Sequence, residues 1–309
     1  MTVTAQNTAL RNRNFSDATA PRPTTKHRAH TQRGVTLIEL MVGLAIGLLV
    51  VAVAMGALMV SRGVSGTVSD ASEIQQQAAY AMRVIGLQVR QAGSLYLNLD
   101  STGAAAADPE IAPVAFETVA EASGGGLPFT PATDTLGGTD TTLDVGYRRY
   151  KEPVYGAAID QALSRNCLGG PADANTDERI ENLFALSGSE LRCGGNDTAA
   201  APQPIVQNVA NFQVRYLLQD NSAPGDPKLQ YVSAAAVGSD WSRVQAVQVC
   251  LVLYGTEPID MPAGSSYLDC DGITAVNMTT LTGVRARRMH IVFRNVFQLR
   301  SQGAIGSVL

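Results

Sequence analysis

The distribution of apolar residues divides the chain into three parts of different character. Residues 1–34 are polar and show no apolar period, and we interpret them as a disordered leader. Residues 40–60 form an apolar run without a single charged side chain, and this run is long enough for a helix to cross a bilayer. The pattern becomes amphipathic after Arg62, and farther along the chain several segments alternate between apolar and polar residues.

The amphipathic segment has the spacing of a helix that buries one face. Its apolar side chains recur every three or four residues. They are Ile74, Ala78, Met82, Ile85 and Val89. Gly93 is suited to end such a helix. The sequence therefore predicts one long helix over residues 35–92, whose first half lies in a membrane or filament core and whose second half packs against a sheet.

Four later segments alternate with period two, which is typical of strands with one buried face. Their apolar residues are Leu143, Val145 and Tyr147; Phe212, Val214, Tyr216 and Leu218; Val247, Val249, Leu251 and Leu253; and Met289, Ile291 and Phe293. The predicted fold class is therefore α+β, in which an antiparallel sheet covers the amphipathic half of the helix. His290 falls between two apolar positions, so it is predicted on the polar face. Residues 100–140 are rich in Ala, Gly, Thr and Pro, and they are expected to form a variable loop with one short strand at most.

Charge separates the leader from the body. Residues 1–34 carry six Lys or Arg against one acid, while the whole chain has a net charge of −4, so the body is strongly acidic. An acidic body argues against a nucleic-acid partner. His290 is the only histidine after residue 34, which excludes a histidine-rich metal site and argues against an enzyme.

One carboxylate stands at the entry of the apolar run. Glu39 immediately precedes residues 40–60, and a carboxylate in a bilayer helix costs roughly 2.5–3.5 kcal/mol unless it has a partner. The segment Gly34-Val35-Thr36-Leu37-Ile38-Glu39-Leu40 resembles the class III signal of type IV pilins and type II secretion pseudopilins. This family favours Phe or Met where the present chain has Val35, and its leaders are usually shorter.

The resemblance implies a role for three residues. A membrane aspartic peptidase, the prepilin peptidase, would cut after Gly34 on the cytoplasmic side, and Val35 would become the N-methylated amino terminus. Glu39 would pair with the terminal amine of a neighbouring subunit, which offsets the desolvation of both buried charges. The family fold is a long N-terminal helix packed on an antiparallel sheet.

Three C-terminal segments narrow the resemblance. Residues 205–220, 240–253 and 285–301 are similar to the strands of PilW-type minor pilins, although the J-type minor pseudopilin of secretion systems shares this layout. The resemblance therefore implies a structural subunit that helps initiate and prime type IV pilus assembly at or near the tip, with twitching motility and cell adhesion as associated processes. Its expected partners are the peptidase, other minor pilins, the major pilin, the inner-membrane assembly platform and a tip adhesin.

The expected organisation follows from these signals. Residues 1–34 are the leader, 35–61 the transmembrane or filament-core helix, 62–93 the amphipathic half, and 94–309 a globular α+β domain. Because positive charge precedes the apolar run, the N-terminus is expected in the cytoplasm and the body in the periplasm, with a surface location after assembly.

The four cysteines all lie in the predicted exported body. An even count in an oxidising compartment indicates two disulfides, and pairing of nearest neighbours predicts Cys167–Cys193 and Cys250–Cys270. Two other pairings and free buried thiols stay open. The spacings do not fit a zinc site.

No other motif indicates chemistry. Asp269-Cys270-Asp271-Gly272 begins like a calcium loop but lacks further ligands, so a polar turn is the better interpretation. Arg285, Arg287 and Arg288 are predicted on a solvated strand face, with an acidic neighbour as the alternative. No catalytic residue, cofactor or metal is predicted. The rival hypotheses are a type II secretion pseudopilin and, from a different class, a periplasmic enzyme or binding domain on a signal anchor, which would leave residues 34–39 unexplained.

Overall fold

The computed structural model describes residues 34–94, 119–196, 201–220, 228–239 and 241–300, apart from the side chain of residue 64. The chain divides into two compact units, Met1–Ala57 and Leu58–Leu309. In the described part of the first unit, the structure is a helix. The second unit contains the rest of that helix together with the strands.

The predicted long helix, α1, extends over Leu37–Gln91. Thr36 caps its start, because the Thr36 Oγ1 atom accepts a hydrogen bond from the backbone N–H of Glu39 at 3.3 Å. The helix ends two residues before Gly93, which has a φ of 89° and therefore a backbone conformation that favours glycine. The predicted stop at Gly93 is confirmed, and both predicted ends are within two residues of the observed ones.

Thirteen strands and two short helices follow in the described residues. The short helices are α2 (Pro131–Asp134) and α3 (Ala234–Val237). The strands are β1 Leu136–Gly138, β2 Thr142–Arg148, β3 Lys151–Glu152, β4 Gln161–Ala162, β5 Arg179–Ser187, β6 Glu190–Gly195, β7 Gln203–Val206, β8 Val209–Asp220, β9 Lys228–Val232, β10 Val244–Pro258, β11 Ser266–Leu268, β12 Ala275–Asn277 and β13 Arg288–Gln298. Single 3₁₀ turns occupy Trp241–Arg243, Met278–Thr280 and Gly283–Arg285.

The strands form two main sheets, both antiparallel. One sheet has the order β1-β2-β5-β6-β7 and the other has the order β13-β10-β8-β9. Two small ribbons, β3–β4 and β11–β12, complete the described strands. The sequence predicted a single sheet, and this prediction is wrong. The alternating pattern did predict β2, but β2 was assigned to the same sheet as β8, β10 and β13.

There is a physical reason why the sheet β1-β2-β5-β6-β7 was not predicted as a separate sheet. Strand β5 places Asn182 between the inward-facing Ile180 and Phe184, and Asn182 is 1% exposed. This amide is satisfied, because its Oδ1 atom accepts the N–H of Cys167 at 2.8 Å and its Nδ2 atom donates to the carbonyl of Val145 at 3.4 Å. A buried, hydrogen-bonded asparagine interrupts the apolar alternation that period-two analysis requires.

A single core joins the second half of α1 to both sheets. All five helix residues predicted to be buried lie in it, together with residues of β2, β5, β6, β8, β10 and β13. The alternating residues predicted for β2, β8 and β10 are buried, and those of β13 pack against the same core. The α+β fold class is therefore confirmed. Burial of this face stabilises the helix by about 25 cal/mol per Å² of apolar surface.

The predicted loop over 100–140 is only partly visible. Residues 100–118 lie outside the described residues, whereas 119–140 contain the one-turn helix α2 and the short strand β1. The single short strand expected in this segment is present.

Candidate functional site

The signal segment precedes α1 and is fully accessible. Val35 is 69% exposed, and nothing lies within 4 Å of the position that a Cβ atom would take on Gly34. Glu39 is the acidic residue of the first helical turn, where the partial positive charge of the helix end stabilises a carboxylate. No cationic group of the described residues pairs with Glu39. The structure therefore leaves this carboxylate accessible to a group from another molecule.

The apolar half of α1 exposes its side chains in the part of the chain that the structure describes. Its large side chains from Leu40 to Val60 are each about half exposed or more, with Val51 the least exposed at 49%. Among the described residues, α1 is the one helix long and apolar enough to cross a membrane. Gly43, Gly47 and Gly56 have open space at the Cβ position. An unbroken apolar helix surface of this size requires lipid or other helices around it.

A buried carboxylate fastens the second half of α1 to strand β10. Asp70 is 3% exposed, and its Oδ1 atom accepts hydrogen bonds from the backbone N–H of Thr256 at 2.7 Å and from Thr256 Oγ1 at 3.1 Å. Asp70 Oδ2 lies against Gly255, where a Cβ atom would collide with the carboxylate, and has no hydrogen-bond partner. Sequence analysis missed this contact because an aspartate on an amphipathic helix is usually solvated.

A second polar contact fastens the other end of this helix segment. Tyr147 Oη donates to Gln88 Oε1 at 2.8 Å, and the hydroxyl also lies 2.7 Å from the carbonyl oxygen of Arg165. Burial raises the pKa of the Tyr147 phenol well above its ordinary value. The hydroxyl therefore stays protonated and remains a hydrogen-bond donor.

The four cysteines are joined in the structure as Cys167–Cys193 and Cys250–Cys270, and none of the described cysteines is free. The Cα atoms of the pairs are 6.4 Å and 5.6 Å apart. Cys167–Cys193 fastens the loop before β5 to β6. Cys250–Cys270 fastens the β11–β12 ribbon to the outer face of β10, where it covers a small separate apolar cluster that includes Val252 and Tyr267.

A buried arginine shapes the loop before β5. Arg149 is 1% exposed and donates to the carbonyl oxygens of Ala172 at 2.7 Å, Asn175 at 2.9 Å and Asp177 at 3.1 Å. Burial lowers the pKa of its guanidinium, and the nearby positive charge of Arg165 lowers it further. No sequence pattern pointed to this residue, since the acceptors are backbone atoms of a segment without a regular pattern.

The prediction for His290 is wrong. It does point to the opposite face from Met289 and Ile291, but the β11–β12 ribbon covers that face and His290 is 6% exposed. Its ring stacks on Tyr267 with centroids 5.2 Å apart and lies 5.7 Å from the ring of Tyr254. Its Nδ1 atom is 2.8 Å from the carbonyl oxygen of Arg288. Burial lowers the pKa of the imidazole.

The remaining sequence candidates are structural. Asp271 Oδ1 accepts the N–H groups of Ile273 at 2.9 Å and Thr274 at 2.8 Å, so the tentative calcium loop is a polar turn. No group of His, Cys, Asp or Glu residues suited to hold a metal occurs in the part of the chain that the structure describes.

The basic run before β13 bonds within the chain. Arg285 donates to the carbonyl of Ala210, Arg288 donates to the carbonyl of Gly255, and Arg287 forms an ion pair with Asp260.

This combination of a class III signal, an uncovered apolar half-helix and a helix-backed β domain defines a pilin-like subunit. Two family models match the chain: the prokaryotic N-terminal methylation motif over residues 29–55, and Type IV Pilus-assembly protein W over residues 175–301. The second match spans β5 to β13. The two matches support a PilW-type type IV minor pilin, and proteins of the matched families are structural subunits, not enzymes.

Comparison with individual proteins adds little. A type IV-like pilin from Thermus thermophilus is similar at 13% identity, covering 74% of this chain and 98% of that one, with a TM-score of 0.36. No curated protein matches the chain.

Proposed function

We propose that the chain is a minor pilin that is cut after Gly34, methylated at Val35, and helps to initiate and prime type IV pilus assembly at or near the tip. One observation carries the proposal: the accessible signal segment leads directly into an apolar half-helix whose large side chains are exposed among the described residues. Such a helix needs lipid before assembly and neighbouring helices afterwards. The PilW match over 175–301 supports the minor-pilin assignment.

Glu39 provides the pairing charge in this proposal. After cleavage, Val35 carries the new terminal amine. The Thr36 cap accepts the backbone N–H of Glu39 and does not engage its carboxylate, which has no ion-pair partner among the described residues. In a bundle of parallel α1 helices, Glu39 of one subunit would meet the Val35 amine of the next. Both charges then leave water together, which offsets the cost of burying either one alone.

The proposed topology has the N-terminus in the cytoplasm and the β domain in the periplasm, with relocation to the pilus surface on assembly. The positive leader and the acidic body support this orientation. The proposed partners are the prepilin peptidase, other minor pilins, the major pilin, the inner-membrane assembly platform and a tip adhesin. The disulfides fit an oxidising periplasm.

A minor pseudopilin of a type II secretion system is the alternative, because the same signal and helix would serve it equally well. A deletion strain separates the two proposals when surface pili are counted by electron microscopy and exported proteins are assayed in the medium. Loss of pili with normal secretion is the expected result. Normal pili with proteins trapped in the periplasm would indicate that the chain is a pseudopilin of the type II secretion system. No change in either would favour a signal-anchored enzyme or binding domain.

A further inference from the structure

The β3–β4 ribbon presents an uncharged apolar tip to solvent. Residues 153–159, Pro-Val-Tyr-Gly-Ala-Ala-Ile, connect the two strands and are defined here as the knob. Tyr155 is 106% exposed, Val154 45% and Ile159 51%. Tyrosine at the tip of a protruding segment offers a large contact area with few rotatable bonds, so little entropy is lost when it is buried by a partner.

The base of the ribbon is held firmly. Lys151 Nζ donates to the carbonyl of Asn175 at 2.7 Å, and the N–H of Ala162 donates to Asp173 Oδ1 at 2.9 Å. Arg165 forms an ion pair with the same Asp173. A knob on an ordered base is pre-organised for docking, which lowers the entropic cost of association.

An open groove of complementary character lies on the outer face of the sheet β13-β10-β8-β9. It has a volume of about 400 Å³ and is lined by Leu217, Leu229, Ala246, Val296 and three glutamines, with no charged side chain. Leu229 and Val296 are 59% and 43% exposed. These residues are defined here as the groove. Its capacity exceeds that of one aromatic side chain.

The chain already shows how this sheet face accepts a ribbon. The neighbouring part of the same outer face is covered by the β11–β12 ribbon, whose Tyr267 packs beside Val252 of β10 and Val292 of β13. The groove occupies the part that this ribbon leaves open. A second ribbon with an exposed tyrosine could therefore pack on the remaining open surface in the way that the β11–β12 ribbon packs on the covered part.

Two acidic residues flank the knob and one basic residue lies beside the groove, while Lys151, next to Glu152, is held at the ribbon base by its bond to Asn175. Glu152 and Asp160 flank the knob, whereas the exposed Arg215 lies beside the groove, because its register partner Gln248 pairs with Val296 in the next strand. Opposite charges at the rim favour one orientation of docking and exclude others.

The base of the ribbon and one edge of the groove both lie near the end of α1. At the base of the ribbon, the hydroxyls of Tyr150 and Ser94 are 2.7 Å apart, just beyond the end of α1. Gln298 of the groove also lines a surface depression together with Leu87 and Arg90 of α1. In two subunits with parallel α1 helices side by side, features at one level can meet.

We propose that the knob of one copy of this chain docks into the groove of a second copy whose α1 runs parallel to its own. The parallel arrangement rests on the proposed function as a pilin. The contact is heterologous, since one copy supplies the knob and the other supplies the groove. Tyr155 fills the groove, and Glu152 and Asp160 face Arg215.

The test uses the full-length chain in its membrane, carrying the photo-crosslinking residue p-benzoylphenylalanine in place of Tyr155. Two differently tagged versions are coexpressed, and crosslinked products are identified by both tags and by peptide mapping. Ile273, which is 84% exposed on the loop between β11 and β12, provides the matched control position. A product that carries both tags, linked near Leu217, Leu229 or Val296 and absent from position 273, is expected.

A second set of variants tests the chemistry of the contact, with the crosslinking residue placed at Leu229 instead. Tyr155→Ser should reduce the doubly tagged product at least about tenfold, the size typical of losing a buried aromatic anchor. Asp160→Arg should also reduce it, and Arg215→Asp added to Asp160→Arg should restore it.

Two results would overturn the proposal: a product from position 155 that contains a different pilin, or no product above the level of position 273. Neither result touches the proposed function, because the deletion phenotype is measured independently. Conversely, a doubly tagged product, together with a deletion strain that shows no pilus defect, would support the contact and contradict the proposed function in pilus assembly.

Discussion

At the scale of single residues, Asp70 makes a contact that its position in the sequence conceals. It lies on the buried face of α1, and its carboxylate is the acceptor for both donors of Thr256. Asp70→Ala leaves the Thr256 N–H without this partner, which should lower the free energy of unfolding by about 1–3 kcal/mol. Thermal or urea unfolding of the detergent-solubilised chain measures the loss.

Two comparisons make this prediction specific to the buried acceptor. Asp70→Asn keeps an acceptor oxygen and should cost less than Asp70→Ala. Glu73→Ala, three residues farther along at an exposed position of the same helix, should change the free energy of unfolding by less than about 0.5 kcal/mol. Equal losses for Asp70→Ala and Glu73→Ala would contradict the assignment.

His290 gives the domain a predictable dependence on pH. Burial lowers the imidazole pKa in the folded chain below the ordinary value of 6.5, so the unfolded chain binds the proton more readily. This contribution to stability is therefore intact above pH 6.5 and is lost as the pH falls below that value. Unfolding midpoints between about pH 7.5 and 5.5 should fall more for the wild type than for His290→Gln. Parallel pH profiles would show that His290 does not titrate differently on unfolding.

The residues of the signal could be predicted from sequence, whereas the buried polar residues could not. Gly34, Val35 and Glu39 belong to one contiguous motif, which is recognised from the order of its residues and requires no knowledge of distant contacts. Arg149 and Asp70 acquire their roles from backbone atoms far away in the chain, and no spacing rule connects them. The role of a polar residue can be predicted from the sequence only where its interaction partners are close to it in the sequence.

At the scale of elements, the same distinction separates the strands that were predicted from those that were missed. Strands β8, β10 and β13 each carry at least three alternating apolar residues in succession, because one face of each meets the core. Strand β6 is short and ends in two glycines, and β5 carries the buried Asn182. Periodicity therefore identified three strands of the sheet β13-β10-β8-β9 but only β2 of the sheet β1-β2-β5-β6-β7.

The β11–β12 ribbon should depend on its disulfide. Cys250 and Cys270 are 20 residues apart in sequence, and a cross-link of that span contributes about 3 kcal/mol in the loop-entropy account. The double variant Cys250→Ser/Cys270→Ser should lose stability and show faster hydrogen exchange at residues 266–277. The matched control is Cys167→Ser/Cys193→Ser, which should leave exchange in the ribbon unchanged. Unaltered exchange in the first variant would mean that Tyr267 and His290 hold the ribbon without the disulfide.

At the scale of the whole molecule, α1 combines two surfaces with different requirements. Its second half packs into the core, whereas the large apolar side chains of its first half are exposed in the described structure. Processing should decide when the first half becomes available for assembly. Gly34→Leu should therefore yield an unprocessed protein in the membrane fraction, seen on a gel as a band larger than the wild-type product. A product of normal mature size would refute cleavage after Gly34.

Glu39 tests whether assembly depends on charge pairing or on apolar packing alone. Removing the carboxylate makes the helix easier to insert into lipid, since a buried charge costs roughly 2.5–3.5 kcal/mol there. Glu39→Ala should therefore be inserted and processed normally, yet it leaves the Val35 amine of the neighbouring subunit without its partner, which disfavours burial of that amine in the filament. Recovery of the variant in sheared filaments, relative to Glu73→Ala, should fall severalfold. If apolar packing alone drove assembly, replacing the carboxylate by an apolar side chain would not reduce recovery. Equal recovery of the two variants would therefore show that apolar contacts are sufficient.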